Sequence, residues 1–212
     1  MNNYSRVEYW DERYSKDADY FEWYQTYQEM RPFLQELLSS YTDPTILHIG
    51  CGTSKFTEEL LQEGYRNITN IDYSEVCIEK MKEKIGERNS IIFKKMDVRE
   101  MSFESASFDF ALDKGTLDSI LCVETPHDHV VMALNQISRV LRPGGTYFYI
   151  SYGKPEQRTS YLENAELNWS VTIKRIAKPQ TSVTDLYKNE ENASEEKSYH
   201  YIYICKKATA DS

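Results

Sequence analysis

The sequence predicts an α/β fold: an open, mostly parallel sheet with helices on both faces and an antiparallel C-terminal edge strand. Two patterns carry this expectation. From Asp43-Pro44 onward, short apolar runs alternate with amphipathic helical runs. β-α units of that length force parallel strands, because each crossover must traverse the sheet. Near the C-terminus, WSVTIKRIA and YHYIYICKK are two strand-like runs with no helical pattern between them, which fits an antiparallel pair at the sheet edge.

Taken in order, residues 1–30 are rich in aromatics, among them Tyr4, Tyr9, Trp10, Tyr14, Trp23 and Tyr24. PFLQELLSS then sets Phe33, Leu34, Leu37 and Leu38 on one helical face, with Pro32 in the first turn, where its missing N–H costs nothing. TILHI reads as a short buried strand. FTEELLQ is an amphipathic helix ended by Gly64. NITNI is a second strand, and SEVCIEKMKEKIG a helix with Ser74 as N-cap and Gly86 as stop. SIIFKKMDV and SFDFALDKG are the third and fourth strands. HVVMALNQISRVL is a helix closed by Arg142-Pro143-Gly144-Gly145, and TYFYISYG is the fifth strand. The polar stretch 178–197 is expected to be a mobile acidic loop. Residues 1–212 thus read as a single domain, with an aromatic lid and helix at 1–40 and an α/β core at 41–207.

The totals exclude several classes. The net charge is -9, from 34 acidic and 25 basic residues. Nucleic-acid affinity comes largely from Lys and Arg displacing counterions, so no nucleic acid is expected, and a negative field favours a basic partner. No apolar run approaches the ~18 residues of a membrane span. MNNYSRVEYWDERY lacks the apolar stretch of a secretory signal. Cys51, Cys77, Cys122 and Cys205 are scattered and form no C-x-x-C pair, as expected of reduced thiols in a cytoplasmic protein. His127 and His129 lie in an acidic, Pro-containing stretch that reads as a solvated turn, so no metal is expected. A monomer is expected.

The ligand question centres on ILHIGCGTSKF. Gly50, Cys51 and Gly52 begin a G-x-G at the end of the first strand, where ligands of open α/β sheets bind. A dinucleotide fingerprint requires a third glycine, but that position is Lys55, and the P-loop pattern is absent. Asp72 closes the second strand and is placed to accept from ribose hydroxyls. Asp97 ends the third strand in MDV, where its carboxylate could take the exocyclic amine of an adenine while Val98 offers a backbone amide. Asp113 ends the fourth strand in LDKGTLD. Together these residues outline a nucleoside without a pyrophosphate.

The series ILHIGCGTS, NIDYS, MDV, LDKGTLD and RVLRPGG resembles the class I S-adenosylmethionine-dependent methyltransferases. The resemblance implies a Rossmann-like, seven-stranded sheet and S-adenosylmethionine as cofactor, with S-adenosylhomocysteine as product. EYWDERY, NIDYSEVCIEKM, DKGTLDSIL and HYIYICKK extend it to the elongation factor 1-alpha lysine methyltransferases of the methyltransferase-like group, over about residues 6–207. Residue by residue, it implies that Trp10, Tyr14 and Trp23 help enclose the cofactor and that the Gly50 loop approaches its methionine part. Asp72 would hold the ribose, Tyr73 pack on the adenine, Asp97 and Val98 read its edge, and Asp113 and Lys114 lie beside the cofactor. Asp113 and Asp118 would stand at the pocket mouth, Asp118 facing the substrate. The partner implied is a basic protein such as elongation factor 1-alpha. Many class I enzymes carry an acidic residue two positions before the first glycine; here it is His48. A small-molecule methyltransferase and an inactive cofactor-binding subunit remain alternatives at this stage.

Overall fold

The computed structural model describes residues 4–16, 19–86, 90–179 and 199–209. In chain order the elements are α1 (Val7–Lys16), α2 (Tyr27–Leu38), β1 (Ile46–Ile49), α3 (Phe56–Gln62), β2 (Ile68–Asp72), α4 (Glu75–Ile85) and β3 (Ile91–Lys95). They continue with β4 (Phe108–Lys114), α5 (Thr116–Ile120), α6 (Pro126–Val140), β5 (Leu141–Ser151), α7 (Pro155–Leu162), β6 (Trp169–Ala177) and β7 (Tyr199–Lys207). One seven-stranded sheet has the order β3-β2-β1-β4-β5-β7-β6. The pairs from β3 through β5 are parallel. β7 runs antiparallel between β5 and β6.

The chain lays β1, β2 and β3 outward and then returns to place β4 on the other side of β1. That reversal opens a crevice at the carboxyl ends of β1 and β4, the place where an open α/β sheet receives its ligand. Two apolar layers hold the sheet. On one face Trp10, Met30, Leu34, Phe56 and Met81 from α1 to α4 pack on Ile46, Phe110 and Phe148. On the other, Leu117, Val130, Leu134, Ile137 and Leu162 from α5 to α7 pack on Leu47, Ile49 and Tyr149. β1 is buried along its whole length, which explains why ILHI reads as an unbroken apolar run with a single histidine in it.

Several sequence expectations need correction. The helix expected to open at Pro32 begins at Tyr27, so Pro32 lies inside α2, where its ring removes one i→i−4 bond. The true start is set by Thr26, whose backbone N–H donates to Glu29 Oε2 at 2.7 Å. His127 and His129 are not in a solvated turn; they occupy the first turn of α6, with Pro126 at its first position. Arg142-Pro143-Gly144-Gly145 does not close that helix as a loop. It is an irregularity inside β5, whose pairing jumps from Phe108–Leu141 to Phe110–Thr146. A Cβ on Gly145 would lie 2.8 Å from the Arg142 carbonyl oxygen, so the irregularity requires glycine. The expected loop at 178–197 lies, from residue 180 on, outside the described residues. Ala177 and Tyr199 face each other across the β6–β7 pair on either side of it.

Ser74 joins two helices at the sheet's rim. Its Oγ accepts from the Cys77 N–H at 3.2 Å, capping α4, and donates to Asp11 Oδ1 of α1 at 2.5 Å. Ser74→Ala removes both bonds from a buried position. It is expected to lower stability by about 1 kcal/mol, seen as a lower midpoint in urea unfolding with an unchanged slope; an unmoved midpoint would deny the cap any role.

Candidate active site

A cavity of about 600 Å³ occupies the crevice. The loop after β1 forms its floor. Gly50 and Gly52 both have left-handed backbone, with φ of 55° and 51°. A Cβ on Gly50 would overlap the Thr116 side chain, and one on Gly52 would sit 3.1 Å from the Tyr14 hydroxyl. These glycines therefore let α5 and α1 close on the loop.

Asp72 stands at the end of β2 with its carboxylate in the cavity wall. Its oxygens accept from the N–H groups of Gly52 and Ser74, each at 3.0 Å. Burial outweighs these bonds and pushes its pKa up to about 6. Tyr73 and Val98 line the same end of the cavity. Asp97, two residues beyond the end of β3, is forked by Arg99, with Nε at 3.0 Å from both carboxylate oxygens. Burial alone would raise the Asp97 pKa, but the Arg99 side chain and backbone N–H hold it below the usual value.

The N-terminal aromatics form one wall. Trp10 stacks on Tyr14 at 5.7 Å and meets Trp23 edge-on at 5.9 Å. The Trp10 indole N–H donates to the Tyr4 carbonyl at 2.7 Å. Between Phe21 and Trp23 sits Glu22, which no sequence pattern marks. Glu22 accepts from Ser54 Oγ at 2.8 Å, from the Lys55 N–H at 2.7 Å and from Lys114 Nζ at 2.6 Å. Lys114 also donates to the Trp23 carbonyl at 3.1 Å. Burial lowers the Lys114 pKa, against the opposing pull of Glu22. Lys55, where a dinucleotide site would need glycine, thus points outward while its backbone helps hold the N-terminal segment on the loop.

Neither Asp113 nor Asp118 stands at the mouth; both are buried, at 1% and 2% exposure. Asp113 is not among the residues lining the cavity. Its oxygens accept from the N–H groups of Thr116 and Leu117 at 2.7 and 3.1 Å and from the Tyr147 hydroxyl at 3.0 Å, so it caps α5. Desolvation raises its pKa to about 7 despite those bonds. Asp118 lines the inner wall. It accepts from Tyr24 at 2.8 Å, Ser151 at 2.6 Å, the Tyr152 N–H at 3.2 Å, Arg158 Nη2 at 3.0 Å and the Tyr149 hydroxyl. Tyr24, the residue this hub draws in from the N-terminal segment, has a left-handed φ of 62°. A Cβ on Gly115 would come within 2.9 Å of the Tyr24 ring. The sequence pattern carries no signal for Arg158 or Tyr149, which come from distant elements.

His48 lies under the loop, with Nδ1 3.2 Å from Asn70 Oδ1 and 3.4 Å from Thr57 Oγ1. Burial, with a contribution from Lys114, pushes its pKa down to about 3, so it is neutral. Its Nδ1–H then donates to the side-chain amide oxygen Oδ1 of Asn70, which also accepts from Thr57 Oγ1 at 2.6 Å. The structure thus gathers Trp10, Tyr14, Trp23, Gly50, Cys51, Gly52, Asp72, Tyr73, Asp97, Val98, Lys114 and Asp118 around one cavity, and leaves Asp113 behind its wall.

Comparison with known proteins places the chain in a family. Residues 47–149 match the family described as a methyltransferase domain. EEF1A lysine methyltransferase 4 of Mus musculus is 34% identical over 178 residues, covering 79% of this chain and 69% of that protein. The chain belongs to the S-adenosylmethionine-dependent methyltransferases. S-Adenosylmethionine is its cofactor. The eEF1A lysine and N-terminal methyltransferase of Homo sapiens is 37% identical over 86% of this chain, which spans only 26% of that longer protein. The fold matches N-methyltransferase NodS of Bradyrhizobium japonicum, solved with S-adenosylhomocysteine, at a TM-score of 0.64 and 18% identity over 97% of this chain and 99% of that one.

The cavity of the methyltransferase fits this cofactor. A buried carboxylate faces a nucleoside-sized space, and the glycine loop leaves backbone bare beside it. The Asp118 hub should be the fold's most sensitive polar site. Asp118→Ala strands the buried Arg158 and is expected to cost about 3–5 kcal/mol, read by thermal or urea unfolding; a loss under about 1 kcal/mol would mean that water reaches the pair.

Proposed function

We propose that this methyltransferase methylates a lysine side chain of a basic protein, elongation factor 1-alpha or one like it, in the cytoplasm. The reading is carried by the 34% identity that runs over 79% of the chain to enzymes named for that substrate. The acidic balance, a net charge of -9, suits a basic partner. Four free cysteines suit a reducing compartment.

The proposed roles follow the cavity. Asp72 accepts from the ribose hydroxyls, Tyr73 packs on the adenine, and Asp97 with Val98 reads its edge. The Gly50–Gly52 backbone approaches the methionine part. Trp10, Tyr14 and Trp23 enclose the cofactor, and ring faces near a sulfonium add cation–π attraction. Bound S-adenosylmethionine supplies an electrophilic methyl group for in-line displacement.

The chain's remaining task is to present a neutral amine in line and exclude water. A free lysine has a pKa of about 10.4, and desolvation in an aromatic-walled entry lowers it. Asp118 does not serve as the base in this scheme. Its oxygens are taken up by Tyr24, Ser151 and Arg158, so it fixes the wall against which the amine is aligned.

The test is transfer of labelled methyl from S-adenosylmethionine to purified elongation factor 1-alpha, with the site located by mass spectrometry. Label on one lysine supports the reading; no label there, with turnover on a small amine or phenol, would replace it. Asp72→Ala is expected to weaken S-adenosylhomocysteine binding at least about tenfold, from loss of charge-assisted bonds worth roughly 1.5–3 kcal/mol each. The pH dependence has a definite sign. The Asp72 pKa near 6 means the carboxylate protonates as pH falls through that value. Affinity, measured by calorimetry, should therefore drop below about pH 6 and level off above it. In Asp72→Asn it should be flat across that window; an equally steep profile would assign the titration elsewhere.

A further inference from the structure

Methyl transfer gives work to Asp72, yet two thiols that it does not need stand beside that carboxylate. The sulfurs of Cys51 and Cys77 and a carboxylate oxygen of Asp72 all lie within 4.8 Å of one another. They come from three separate elements: Cys51 from the loop after β1, Asp72 from the end of β2, and Cys77 from the first turn of α4. All three are buried, at 3%, 5% and 0% exposure. Cys51 and Asp72 also line the cavity, so a small ion has a route in through the cofactor's own entrance.

We propose that Cys51, Asp72 and Cys77 form a site for a thiophilic divalent cation of the Zn²⁺ type, filled in competition with S-adenosylmethionine. Two sulfurs and one carboxylate oxygen form a donor set that such ions prefer over the hard cations. Three protein ligands leave a fourth tetrahedral position, on the cavity side, for water. With Zn–S near 2.3 Å and Zn–O near 2.1 Å, tetrahedral donors stand roughly 3.5–3.8 Å apart. The three groups therefore need to draw in by up to about 1.3 Å, which cysteine side-chain rotation supplies. Binding displaces one proton from each thiol and leaves two thiolates and a carboxylate around the dication. The hydrogen bond between the two thiols, then burial, holds the Cys77 thiol above its ordinary pKa; Cys51, despite that bond, is raised by burial and the Asp72 charge. The ion must displace both protons, so occupancy grows with pH. Competition follows because the ion takes the carboxylate that the ribose hydroxyls need. That part rests on the role proposed for Asp72.

Cd²⁺ is the probe, since its thiolate complexes absorb in the near ultraviolet. The full chain is used, reduced, with Cys122→Ser to remove the exposed thiol. Titration should give one ion per chain, a charge-transfer band of two-thiolate intensity and two protons released. Cys77→Ala in that background should weaken the ion at least about tenfold while still binding S-adenosylhomocysteine, because Cys77 does not line the cavity. Cys77→Ser gives a second variant if alanine disturbs α4. Cd²⁺ should raise the apparent dissociation constant of S-adenosylhomocysteine with Cys77 present and leave it unchanged without it. A band that survives loss of Cys77, or a cofactor affinity indifferent to Cd²⁺, overturns the proposal. The band is read without cofactor, so an error in the role of Asp72 would leave it intact, whereas absence of the site removes it.

Discussion

A single buried carboxylate, Asp118, ties together more of this molecule than any apolar contact near the cavity. Its oxygens draw in Tyr24 from the N-terminal segment, Tyr149, Ser151 and Tyr152 from the end of β5, and Arg158 from α7. Taking that charge out of water is unfavourable by several kcal/mol unless the geometry compensates. Here it does so with a guanidinium and several hydroxyls at once. The consequence is directional: each donor must come to Asp118, so the N-terminal segment, β5 and α7 have their positions fixed relative to α5. The cavity wall is rigid because this network has few other ways to be satisfied.

Three aspartates at this sheet edge show how environment divides one side chain into three roles. Asp118 is matched by a cation. Asp113 is matched only by N–H and hydroxyl dipoles, which leave desolvation ahead and its pKa near 7. Asp72 is held by two backbone N–H groups and still faces the cavity, with a pKa near 6. Only the last keeps acceptor capacity toward a ligand. A carboxylate engaged by the helix it caps contributes through that helix, as Asp113 does through α5 and Thr116, whose hydroxyl in turn bonds the Ile49 carbonyl under the glycine loop at 3.1 Å.

Much of the fold and half of the site's logic were legible in the sequence, for identifiable reasons. Strands buried on both faces, such as Ile46–Ile49, announce themselves as apolar runs, and Asp72 at a strand end declares its position by period alone. Ser74 and Gly86 marked α4 because capping is local chemistry. What stayed hidden depends on distant partners. The start of α2 at Tyr27 has a local signal, the Thr26-x-x-Glu29 capping pair, but Pro32 offers a second first turn, and burial of Tyr27 and Met30 in the core decides between them. The RPGG turn joins β5 because β4 supplies a partner with a register jump. Asp113 and Asp118 look alike in DKGTLD; only Arg158, forty residues on, separates them. Glu22 carries no sequence signal, because an acid among aromatics has no pattern until the fold brings Ser54 and Lys114 to it.

The segment Glu22-Trp23-Tyr24 links these observations. Glu22 is fastened to the glycine loop through Ser54 and the Lys55 N–H, and to β4 through Lys114. Tyr24 is fastened to Asp118 and accepts a left-handed backbone to get there. Trp23 lies between the two attachments, and its ring is therefore held against Trp10 with little freedom. An unfastened aromatic lid would have to lose its conformational freedom each time a ligand entered, at about 1–2 kcal/mol per ordered backbone residue. Two polar attachments on either side of one tryptophan meet that cost during folding instead. The two attachments sit in different electrostatic surroundings. The Asp118 hub contains a buried ion pair with several supporting donors, while Glu22 is partly exposed, at 23% for its side chain, and screened by solvent. The two attachments thus differ in burial: Tyr24 ends on a carboxylate closed off from water, and Glu22 on the glycine-loop side stays in partial contact with it.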